Sequence, residues 1–307
     1  MAISVIIPTY NEELHLERCI RSVIGWCEKI HIVDSYSSDR TPEIAAKYAD
    51  QGVTFVQRKY EGPSDQKNWA LDNCDIPEGW VLFLDTDEFV PPEQRDEMLK
   101  VTSDANNPTA GYMCGLKIVW YGKWIRWGGW YPNPKLRLVR TGKARFDPRL
   151  VHEHLKVDGP IEMLKTDLVH EDLRDLAHYI NKHNRYSDAE AIEYKRAVEG
   201  EKDDFAKLFT FNGLRRRRWI KTRLWAKLPG KMLLYFIWAY FFRLGFLDGR
   251  IGLRFHMMHA MFKNFDELKL WELRFFKEGA PKGAINVKPQ YCDRFEKDLH
   301  PAAKKKA

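Results

Sequence analysis

The apolar run in residues 80–90, WVLFLDTDEFV, leads directly into the acidic stretch DTDE at 85–88. Such a run predicts a buried parallel strand that brings carboxylates to the carboxyl edge of a sheet, where open α/β folds bind their ligands. Two carboxylates at positions i and i+2 can chelate a hard divalent cation. The acids also suit a turn and a helix cap, because Pro91 and Pro92 predict that a helix begins there. The motif alone therefore leaves a metal site and a helix cap as alternatives.

Strand-like and helix-like patterns alternate on both sides of this run. The predicted segments are strands at 3–8, 29–34, 53–56 and 80–85 and helices at 16–24, from 41, at 66–71 and at 92–101. Apolar residues recur at helical spacing in the helices, whereas the strands are short continuous apolar runs. The alternation predicts a doubly wound, mostly parallel sheet.

The pattern changes beyond residue 103. Strands are predicted at 112–121, 135–139 and 164–169, with a loop rich in tryptophan and glycine, WIRWGGWYPNP, between the first two. Helical periodicity begins near Leu173. We therefore expect an α/β domain and a helical region followed by a tail, with limits at 1–172 (halves 1–103 and 104–172), 173–280 and 281–307.

Five cysteines are spread through the chain, and none belongs to a C-x-x-C pair. An odd number at this spacing argues against a disulfide framework and against a structural zinc site. The first residues include a strand-like run, SVIIPTY, without the basic region or cleavage pattern of a signal peptide. These features predict a protein of the reducing cytosol.

The positive charge of the chain is concentrated in residues 205–247. The whole chain has a net charge of +7, and this segment has ten basic residues and no acidic one, so the remainder carries −3. The basicity is therefore a property of one segment and not of the whole chain.

An apolar run at 232–242 ends this basic segment and is shorter than the roughly 20 residues needed to span a bilayer. Cations followed by aromatic residues fit a segment in the interface of an anionic membrane, with a second amphipathic helix at 251–265. The alternative is that both helices pack on the catalytic domain. The residues expected at the membrane surface are Arg215, Arg216, Arg217, Arg218, Trp219, Trp225, Phe236 and Trp238.

Polar motifs follow the predicted strands at four places. They are TYNE at 9–12, Asp34 with Asp39, SDQKN at 64–68 and DTD at 85–87. The chain has no G-x-x-x-x-G-K-[ST], and no G-x-G-x-x-G follows the first strand, so neither a P-loop nor a dinucleotide fold is supported. An acidic sheet edge instead suits a nucleotide held through its base and ribose, with a metal ion on its phosphates.

In this order and spacing, PTYNEE, the Asp34 loop and the apolar strand before DTDE resemble family 2 glycosyltransferases with the GT-A fold. Further motifs extend the resemblance to about residue 260, toward bacterial lipopolysaccharide-core β-glucosyltransferases: VDSYSSDRT, SDQKNWAL, GGWYPNPKLRLVR, VHEHL and LDGRIGL. The resemblance implies an α/β GT-A nucleotide-diphospho-sugar transferase fold, with a Rossmann-like, mostly parallel sheet and a C-terminal helical, membrane-associating extension. Residues 1–103 would form its nucleotide-sugar half and 104–172 its acceptor half.

The resemblance also assigns roles in the nucleotide-sugar half. The residues implied in nucleotide-sugar binding are Pro8, Thr9, Tyr10, Glu12, Asp34, Lys67, Asp85, Thr86 and Asp87. Among them, Asp87 would bind the metal ion directly, Asp85 would face the ribose or the metal, and Lys67 would lie beside the diphosphate. A divalent cation, Mn²⁺ or Mg²⁺, would neutralise the charge that grows on the leaving UDP.

The acceptor half must supply a base for the acceptor hydroxyl. The resemblance points to Glu153 in VHEHL, and a positioned carboxylate is suited to that role. A solvated loop acid is the alternative interpretation, and Asp147 and Asp158 are competing bases. His170 would be a further metal ligand, as in some metal-dependent GT-A enzymes, because imidazole suits Mn²⁺. A structural role for this histidine is the alternative.

The loop with tryptophan and glycine suits contact with sugar rings, although core packing or a membrane-facing lip would also explain its aromatic residues. Arg137 and Arg140 suit an anionic acceptor, with an exposed strand face as the alternative. The residues predicted to contact the acceptor are Trp127, Trp130, Tyr131 and Arg137.

These observations predict an inverting, metal-dependent glycosyltransferase that moves a hexose from a UDP-sugar to the lipopolysaccharide inner core or another lipid-linked glycan. Resemblance alone implies that the hexose is glucose. The alternative is the same chemistry on an exopolysaccharide or a protein-linked glycan. A haloacid-dehalogenase-type phosphatase is disfavoured because its D-x-D normally ends the first strand.

A nucleic-acid-binding protein that uses the basic cluster at 215–231 is the remote alternative, and it leaves the acidic sheet edge unexplained. We therefore expect no nucleic-acid partner. The expected location is the cytoplasm, with peripheral association at the inner face of the cytoplasmic membrane.

Overall fold

The computed structural model describes residues 2–104, 106–147, 155–200 and 230–278. The chain forms two compact units. The first comprises Met1–Arg174 and Gly245–Gly252, and the second comprises Asp175–Leu244 and Leu253–Ala307. The chain therefore returns to the first unit for a short segment after leaving it.

The first unit contains the predicted strand–helix alternation. Its helices are α1 (Leu16–Val23), α2 (Thr41–Ala46), α3 (Pro63–Asn73) and α4 (Pro92–Ser103). Its strands are β1 (Ala2–Thr9), β2 (Lys29–Asp34), β3 (Val53–Gln57), β4 (Gly79–Phe83), β5 (Glu88–Phe89), β6 (Gly111–Trp120), β7 (Lys123–Trp124), β8 (Lys135–Arg140), β9 (Ala144–Phe146), β10 (Leu155–Val157) and β11 (Ile161–Glu171).

The main sheet has the strand order β3-β2-β1-β4-β8-β6-β11-β5, and β7 pairs with β6. The strands β3, β2, β1 and β4 are parallel, as predicted. The sheet as a whole is mixed, however, because β8 lies antiparallel to both β4 and β6, and β5 lies antiparallel to β11. Strand β11 lies parallel to β6, so the expectation of a mostly parallel sheet is wrong only where β5, β7 and β8 form their antiparallel pairs. The physical reason is that a loop without a helix joins β6 to β8, and such a loop allows antiparallel pairing, whereas parallel pairing needs a crossover connection.

The central strands are buried on both faces, so they appear in the sequence as continuous apolar runs. Val5 and Leu82 belong to the core cluster that includes helix α1, whereas Ile6 and Val81 belong to the cluster that includes Ala70 of α3. All five side chains are fully buried. Full burial of one large aliphatic side chain contributes about 1.5–3 kcal/mol to folding. Two cores thus hold β1 and β4 in place and position the loops at their ends.

Helix α4 tests the helix-cap interpretation of the DTDE acids. Its N-cap residue is Pro91, and no side chain makes a capping hydrogen bond to the helix. Pro92 suits the first helical position because the first N–H groups of a helix have no partner within the helix. The acids of 85–88 therefore do not cap α4, and the helix-cap interpretation is wrong.

The cysteines of the described residues, Cys19, Cys27, Cys74 and Cys114, are free thiols. The fifth cysteine, Cys292, lies outside the described residues.

The second unit contains helix α5 (Leu176–Gly200), helix α6 (Lys231–Ile237) with a π-helical continuation at Trp238–Phe242, and most of helix α7 (Gly249–Glu278). The ring of His183 on α5 stacks on Phe262 of α7, with centroids 4.3 Å apart. Tyr179 Oη lies 2.7 Å from Nε2 of His259, so the α5–α7 contact is aromatic and polar at once.

Within the described ranges, no single helix is long and apolar enough to cross a membrane, and one bent pair, Lys231–Phe242 with Gly245–Leu273, passes that test jointly. The predicted membrane residues Arg215, Arg216, Arg217, Arg218, Trp219 and Trp225 lie outside the described residues. Phe236 is half-buried, and the side chain of Trp238 is exposed.

Candidate active site at the carboxyl edge of the sheet

Thr9 and Asp34 lie side by side where β1 and β2 end, because the two strands pair in register at these residues. The Thr9 hydroxyl donates a hydrogen bond of 2.9 Å to Oδ1 of Asp34. The backbone N–H of Ser37 and the amide of Gln57 both donate to Oδ2, at 2.8 and 3.1 Å. The fully buried Asp34 carboxylate is thus held in one orientation. The structure brings these two predicted nucleotide residues together, and their contact with a nucleotide stays a prediction.

The loop after β1 is tied to the loop after β2. The backbone N–H of Asn11 donates to Oγ of Ser37 at 2.8 Å, and the backbone N–H of Glu12 donates to Oγ1 of Thr41 at 2.8 Å. Asn11 has a φ of 54°, in the left-handed region that asparagine tolerates better than most residues. The adjacent Tyr10 is exposed. These hydrogen bonds hold the TYNE loop against the loop after β2 at the carboxyl edge of the sheet.

Glu12 belongs to a charged network that the sequence did not predict. One of its carboxylate oxygens lies 2.8 Å from Nδ1 of His15, and the other accepts a bond of 3.2 Å from Arg174. The backbone N–H of Leu173 donates to Nε2 of His15 at 2.9 Å. Burial disfavours the charged imidazole, but hydrogen bonds with Asp172 and Glu12 outweigh it and raise the pKa of His15. The network joins the loop after β1 to the chain that follows β11.

Asp85 lies between two cations. Lys67 Nζ is 3.0 Å from Oδ1 of Asp85, and Arg137 Nη2 is 2.6 Å from Oδ2. Arg137 also contacts Oε1 of Glu88 at 2.5 Å. Burial alone would raise the pKa of Asp85, but the charges of Arg137 and Lys67 outweigh it and hold that pKa well below its ordinary value. Burial raises the pKa of Glu88, although Arg137 opposes the shift.

The placement of Arg137 excludes one interpretation left open by the sequence. Its side chain is 11% exposed and lies within the carboxylate cluster, so β8 does not present it on an exposed strand face. Its predicted contact with the acceptor stays a prediction. Arg140 instead donates to the backbone carbonyl of Thr109 at 2.8 Å and lies 4.6 Å from the ring centre of Trp80. Arg140 therefore packs on the buried ring of Trp80 and holds the backbone before β6.

Asp87 and His170 lie together, although they are far apart in sequence. Nε2 of His170 is 3.1 Å from Oδ2 of Asp87. Strand β5 pairs with β11 so that Glu88 stands opposite His170, and the backbone N–H of Glu171 donates to the Asp87 carbonyl at 2.8 Å. The backbone pairing thus brings the two residues together.

A carboxylate oxygen and an imidazole nitrogen are a donor set that suits a divalent ion such as Mn²⁺. Within the described part of the chain, no group of three or more His, Cys, Asp or Glu side chains could hold a metal ion. A metal ion held by Asp87 and His170 would therefore have to take its remaining ligands from substrate phosphates and water, as Mg²⁺ commonly does. Asp85 is already paired with two cations and fits this role less well.

The aromatic loop, residues 124–131, is built from ring contacts. Trp124 and Tyr131 meet edge to face with centroids 5.1 Å apart. The guanidinium of Arg126 lies 5.3 Å from the ring centre of Trp124 and 5.6 Å from that of Trp127. The Tyr131 hydroxyl donates to Oδ2 of Asp167 at 2.9 Å. The structure thus gathers Trp127 and Tyr131 in one loop with half-buried Trp130, and their contact with an acceptor stays a prediction.

The predicted base, Glu153, lies outside the described residues. Of its two competitors, Asp147 forms an ion pair of 2.7 Å with Lys156. The side chain of Asp158 is 91% exposed and lies 3.8 Å from Lys143. The remaining predicted nucleotide residues, Pro8 and Thr86, lie within the end of β1 and the DTDE loop.

The sequence of the chain is similar to those of known glycosyltransferases. The family model described as glycosyl transferase family 2 matches residues 4–143. The lipopolysaccharide core biosynthesis glycosyltransferase LpsC of Rhizobium meliloti is 30% identical over 212 residues, which cover 68% of this chain and 76% of LpsC. An uncharacterized glycosyltransferase of Rickettsia typhi is 26% identical over 281 residues, which cover 88% of this chain and 87% of the relative.

Among solved structures, TarS of S. aureus in complex with UDP is 16% identical, covers 91% of this chain and 92% of TarS, and has a TM-score of 0.47.

The chain belongs to glycosyltransferase family 2. It is therefore a glycosyltransferase, and the predictions of the family and of the enzyme class are confirmed.

The residues that sequence reasoning missed are His15, Glu88, Arg174 and the clustering of Arg137 with the DTDE motif. His15 had a signal, because it follows Glu12 by three residues, a spacing that brings side chains together on a helical turn. Arg174 and Arg137 had none, since their partners are distant in sequence.

Proposed function

We propose that this enzyme is an inverting, metal-dependent transferase that moves a hexose, glucose, from a UDP-sugar to a lipid-linked glycan such as the lipopolysaccharide inner core. The name of the R. meliloti relative supports the choice of acceptor. The motif resemblance supports UDP as the carrier. The same chemistry on an exopolysaccharide or a protein-linked glycan is the second candidate.

The observation that carries the metal dependence is the pair of Asp87 and His170, whose Oδ2 and Nε2 atoms are 3.1 Å apart. A bound divalent ion would neutralise negative charge on the diphosphate as it leaves. Asp87 and His170 would hold that ion. Lys67 and Arg137 hold Asp85 ionised beside them, because their charges keep its pKa low.

In the proposed reaction, Glu153 takes the proton of an acceptor hydroxyl. The hydroxyl oxygen then forms a bond to the anomeric carbon as the bond from that carbon to the UDP oxygen breaks. Attack opposite the leaving group inverts the configuration. Thr9 and Asp34 bind the nucleoside, and the aromatic loop binds the acceptor sugar.

The first experiment measures turnover with a panel of UDP-sugars and extracted core lipopolysaccharide, with Mn²⁺, Mg²⁺ or EDTA. We expect turnover with UDP-glucose that requires a divalent ion. Turnover that persists in EDTA would contradict metal dependence, and transfer to a protein or exopolysaccharide but not to the core would favour the second candidate.

The metal site is tested by UDP binding with and without Mn²⁺ in the variants Asp87→Asn and His170→Gln. Since loss of even an outer partner of a metal ligand weakens metal affinity about 10- to 100-fold, we expect the Mn²⁺-dependent gain in UDP affinity to fall by at least about 10-fold. His178→Gln, a half-buried histidine of α5, is the matched control. If either site variant keeps the full gain, its assignment as a ligand is wrong.

The base is tested with Glu153→Gln. We expect kcat to fall by about 10²- to 10⁴-fold, because general-base catalysis contributes that factor, with UDP affinity unchanged. Asp158→Asn is the control, since it changes a competing carboxylate in the same way. Near-normal turnover of Glu153→Gln would exclude this base.

We further propose that the enzyme acts at the inner face of the cytoplasmic membrane. Support comes from the apolar side chains that α6 and its continuation expose in the second unit: Met232, Leu233, Leu234, Ile237, Trp238, Phe241 and Phe242. Phe242 is 76% exposed, and large apolar surfaces of this kind are characteristic of interaction sites. Basic residues precede this segment in the sequence and suit anionic lipid.

Flotation with vesicles tests this location. We expect binding to vesicles that contain phosphatidylglycerol and loss of binding at high salt or in the double variant Phe241→Ser/Phe242→Ser. Leu99→Ser, at an exposed leucine of α4, is the matched control. Equal binding of the double variant, or retention on DNA but not on vesicles, would refute the proposed surface.

A further inference from the structure

The segment Gly245–Gly252, which belongs to the first unit, contains a carboxylate that the proposed reaction does not use. Asp248 is 4% exposed. Its two carboxylate oxygens accept hydrogen bonds from the backbone N–H groups of Arg126, at 3.2 Å, and Trp127, at 3.0 Å. A buried carboxylate is costly unless it is hydrogen-bonded, so this contact holds two consecutive residues of the aromatic loop.

Two glycines allow Asp248 to reach the loop. Gly249 has a φ of +70°, a conformation that side chains rarely adopt, and it turns the chain directly after the aspartate. A Cβ atom on Gly252 would lie 2.3 Å from Cβ of Asp248 and 3.2 Å from the Gly245 carbonyl. The D-G-x-x-G pattern in LDGRIGL thus has a geometric cause, which is the close approach of the start of α7 to its own preceding turn.

Two glycines directly follow the residues whose amides bind Asp248. They explain why the backbone of the loop requires this contact to keep one conformation. Gly128 and Gly129 have φ values of 73° and 87°, and glycine carries the largest conformational freedom in the unfolded chain. The ring of Trp127 would therefore vary in position unless its own backbone were held. The contacts of the Arg126 guanidinium with Trp124 and Trp127 depend on the same backbone.

We propose that Asp248 is a positioning residue for the acceptor: by binding the amides of Arg126 and Trp127, it sets the aromatic loop in the orientation that receives a sugar of the acceptor glycan. The inference rests on the proposed function, because it takes the aromatic loop as the acceptor site. Asp248 acts through the loop and does not touch the donor. Its loss should therefore change acceptor binding and leave donor binding intact.

The test compares Asp248→Asn with the wild-type enzyme, using UDP-glucose, Mn²⁺ and extracted core lipopolysaccharide. The carboxamide keeps one oxygen acceptor and turns an N–H₂ group toward the other amide, so one hydrogen bond is lost and the other no longer has a charged acceptor. Hydrogen bonds to charged groups contribute enough to change an equilibrium about 10- to 100-fold. We expect the KM for core lipopolysaccharide to rise by about that factor, while the affinity for UDP and the slow hydrolysis of UDP-glucose without acceptor are unchanged.

Two further variants separate positioning from general damage. Gly252→Ala retains Asp248 but displaces its carboxylate, because the added Cβ would lie 2.3 Å from Cβ of Asp248. We expect the same rise in the acceptor KM. Asp75→Asn is the matched control, because it makes the same chemical change at a side chain that is 85% exposed. We expect no change in this variant.

Hydrogen exchange supplies a direct structural readout. The amides of Arg126 and Trp127 should exchange faster in Asp248→Asn, with no change in the strand amides of β1 and β4. Unchanged exchange at these two amides would overturn the anchor, and unchanged acceptor KM with faster exchange would overturn the positioning role. Wild-type enzyme that fails to transfer to the core would instead refute the proposed function, so the two failures are distinguishable.

Discussion

Replacement of Arg137 by methionine tests how the carboxylate cluster at the sheet edge is held together. Methionine keeps most of the volume of the side chain and removes its charge. The guanidinium contacts Glu88, whose side chain is 1% exposed, and Asp85, whose side chain is 39% exposed. Because Asp85 is partly screened by water, the buried Glu88 contact sets the magnitude.

Removing one partner of a buried ion pair costs about 3–5 kcal/mol, since the other charge is left uncompensated. We expect Arg137→Met to lower the free energy of unfolding by about 3 kcal/mol, at the lower end of that range, because Asp85 keeps Lys67 at 3.0 Å. Urea unfolding, monitored by tryptophan fluorescence and circular dichroism, measures this loss of stability. We expect a lower urea midpoint and an unchanged dependence of the unfolding free energy on urea concentration.

A matched control and a double variant identify the cause. Arg145 binds both oxygens of Asp72 at 2.7 Å, but the two side chains are 55% and 49% exposed, so Arg145→Met should cost about 0.2–1 kcal/mol. Glu88→Gln in the Arg137→Met background should recover part of the loss, because no buried charge then lacks a partner. Additive effects of the two changes, or equal midpoints for Arg137→Met and Arg145→Met, would refute the reasoning.

Two further predictions concern packing and pH. A Cβ atom at Gly115 would lie 2.0 Å from Oδ1 of Asp167, so Gly115→Ala should lower the free energy of unfolding by about 1–3 kcal/mol. Adding Asp167→Ala should relieve the clash. If the two substitutions shifted the urea midpoint additively, this explanation would be wrong. Burial, and to a smaller extent the charge of His183, holds the pKa of His259 well below its ordinary value. The unfolded chain therefore takes up a proton below about pH 6.5 that folded His259 does not, and stability falls as the pH drops below that value. The Tm of His259→Gln should depend less on pH between about 7.5 and 5.5 than the wild-type Tm, and parallel curves would exclude this histidine as the source.

Much of the fold follows from local patterns. The runs of β1 and β4 are apolar because both faces are buried, and Pro42 and Pro92 lie in the first turns of their helices because proline is tolerated there. These signals depend on residues that are adjacent in the sequence, so they can be recognised without a structure. The position of β8 was not predicted, because the pairing of a strand is decided by partners that are distant in the chain.

The same division holds for the site. The sequence by itself determined the family and the enzyme class, because its motifs resemble those of glycosyltransferases. It also determined the acidic character of the sheet edge, because acidic residues directly follow the apolar runs that form the strands. The resemblance had already grouped Asp87 and His170 as ligands of one metal ion, and the tertiary structure set their separation of 3.1 Å. Only the tertiary structure decided that Arg137 lies against Glu88 and that Asp248 binds the aromatic loop. Each of these contacts joins residues from distant parts of the chain. Strand register and the pairing of buried charges determine which residues meet in these contacts, and neither can be inferred from local sequence periodicity.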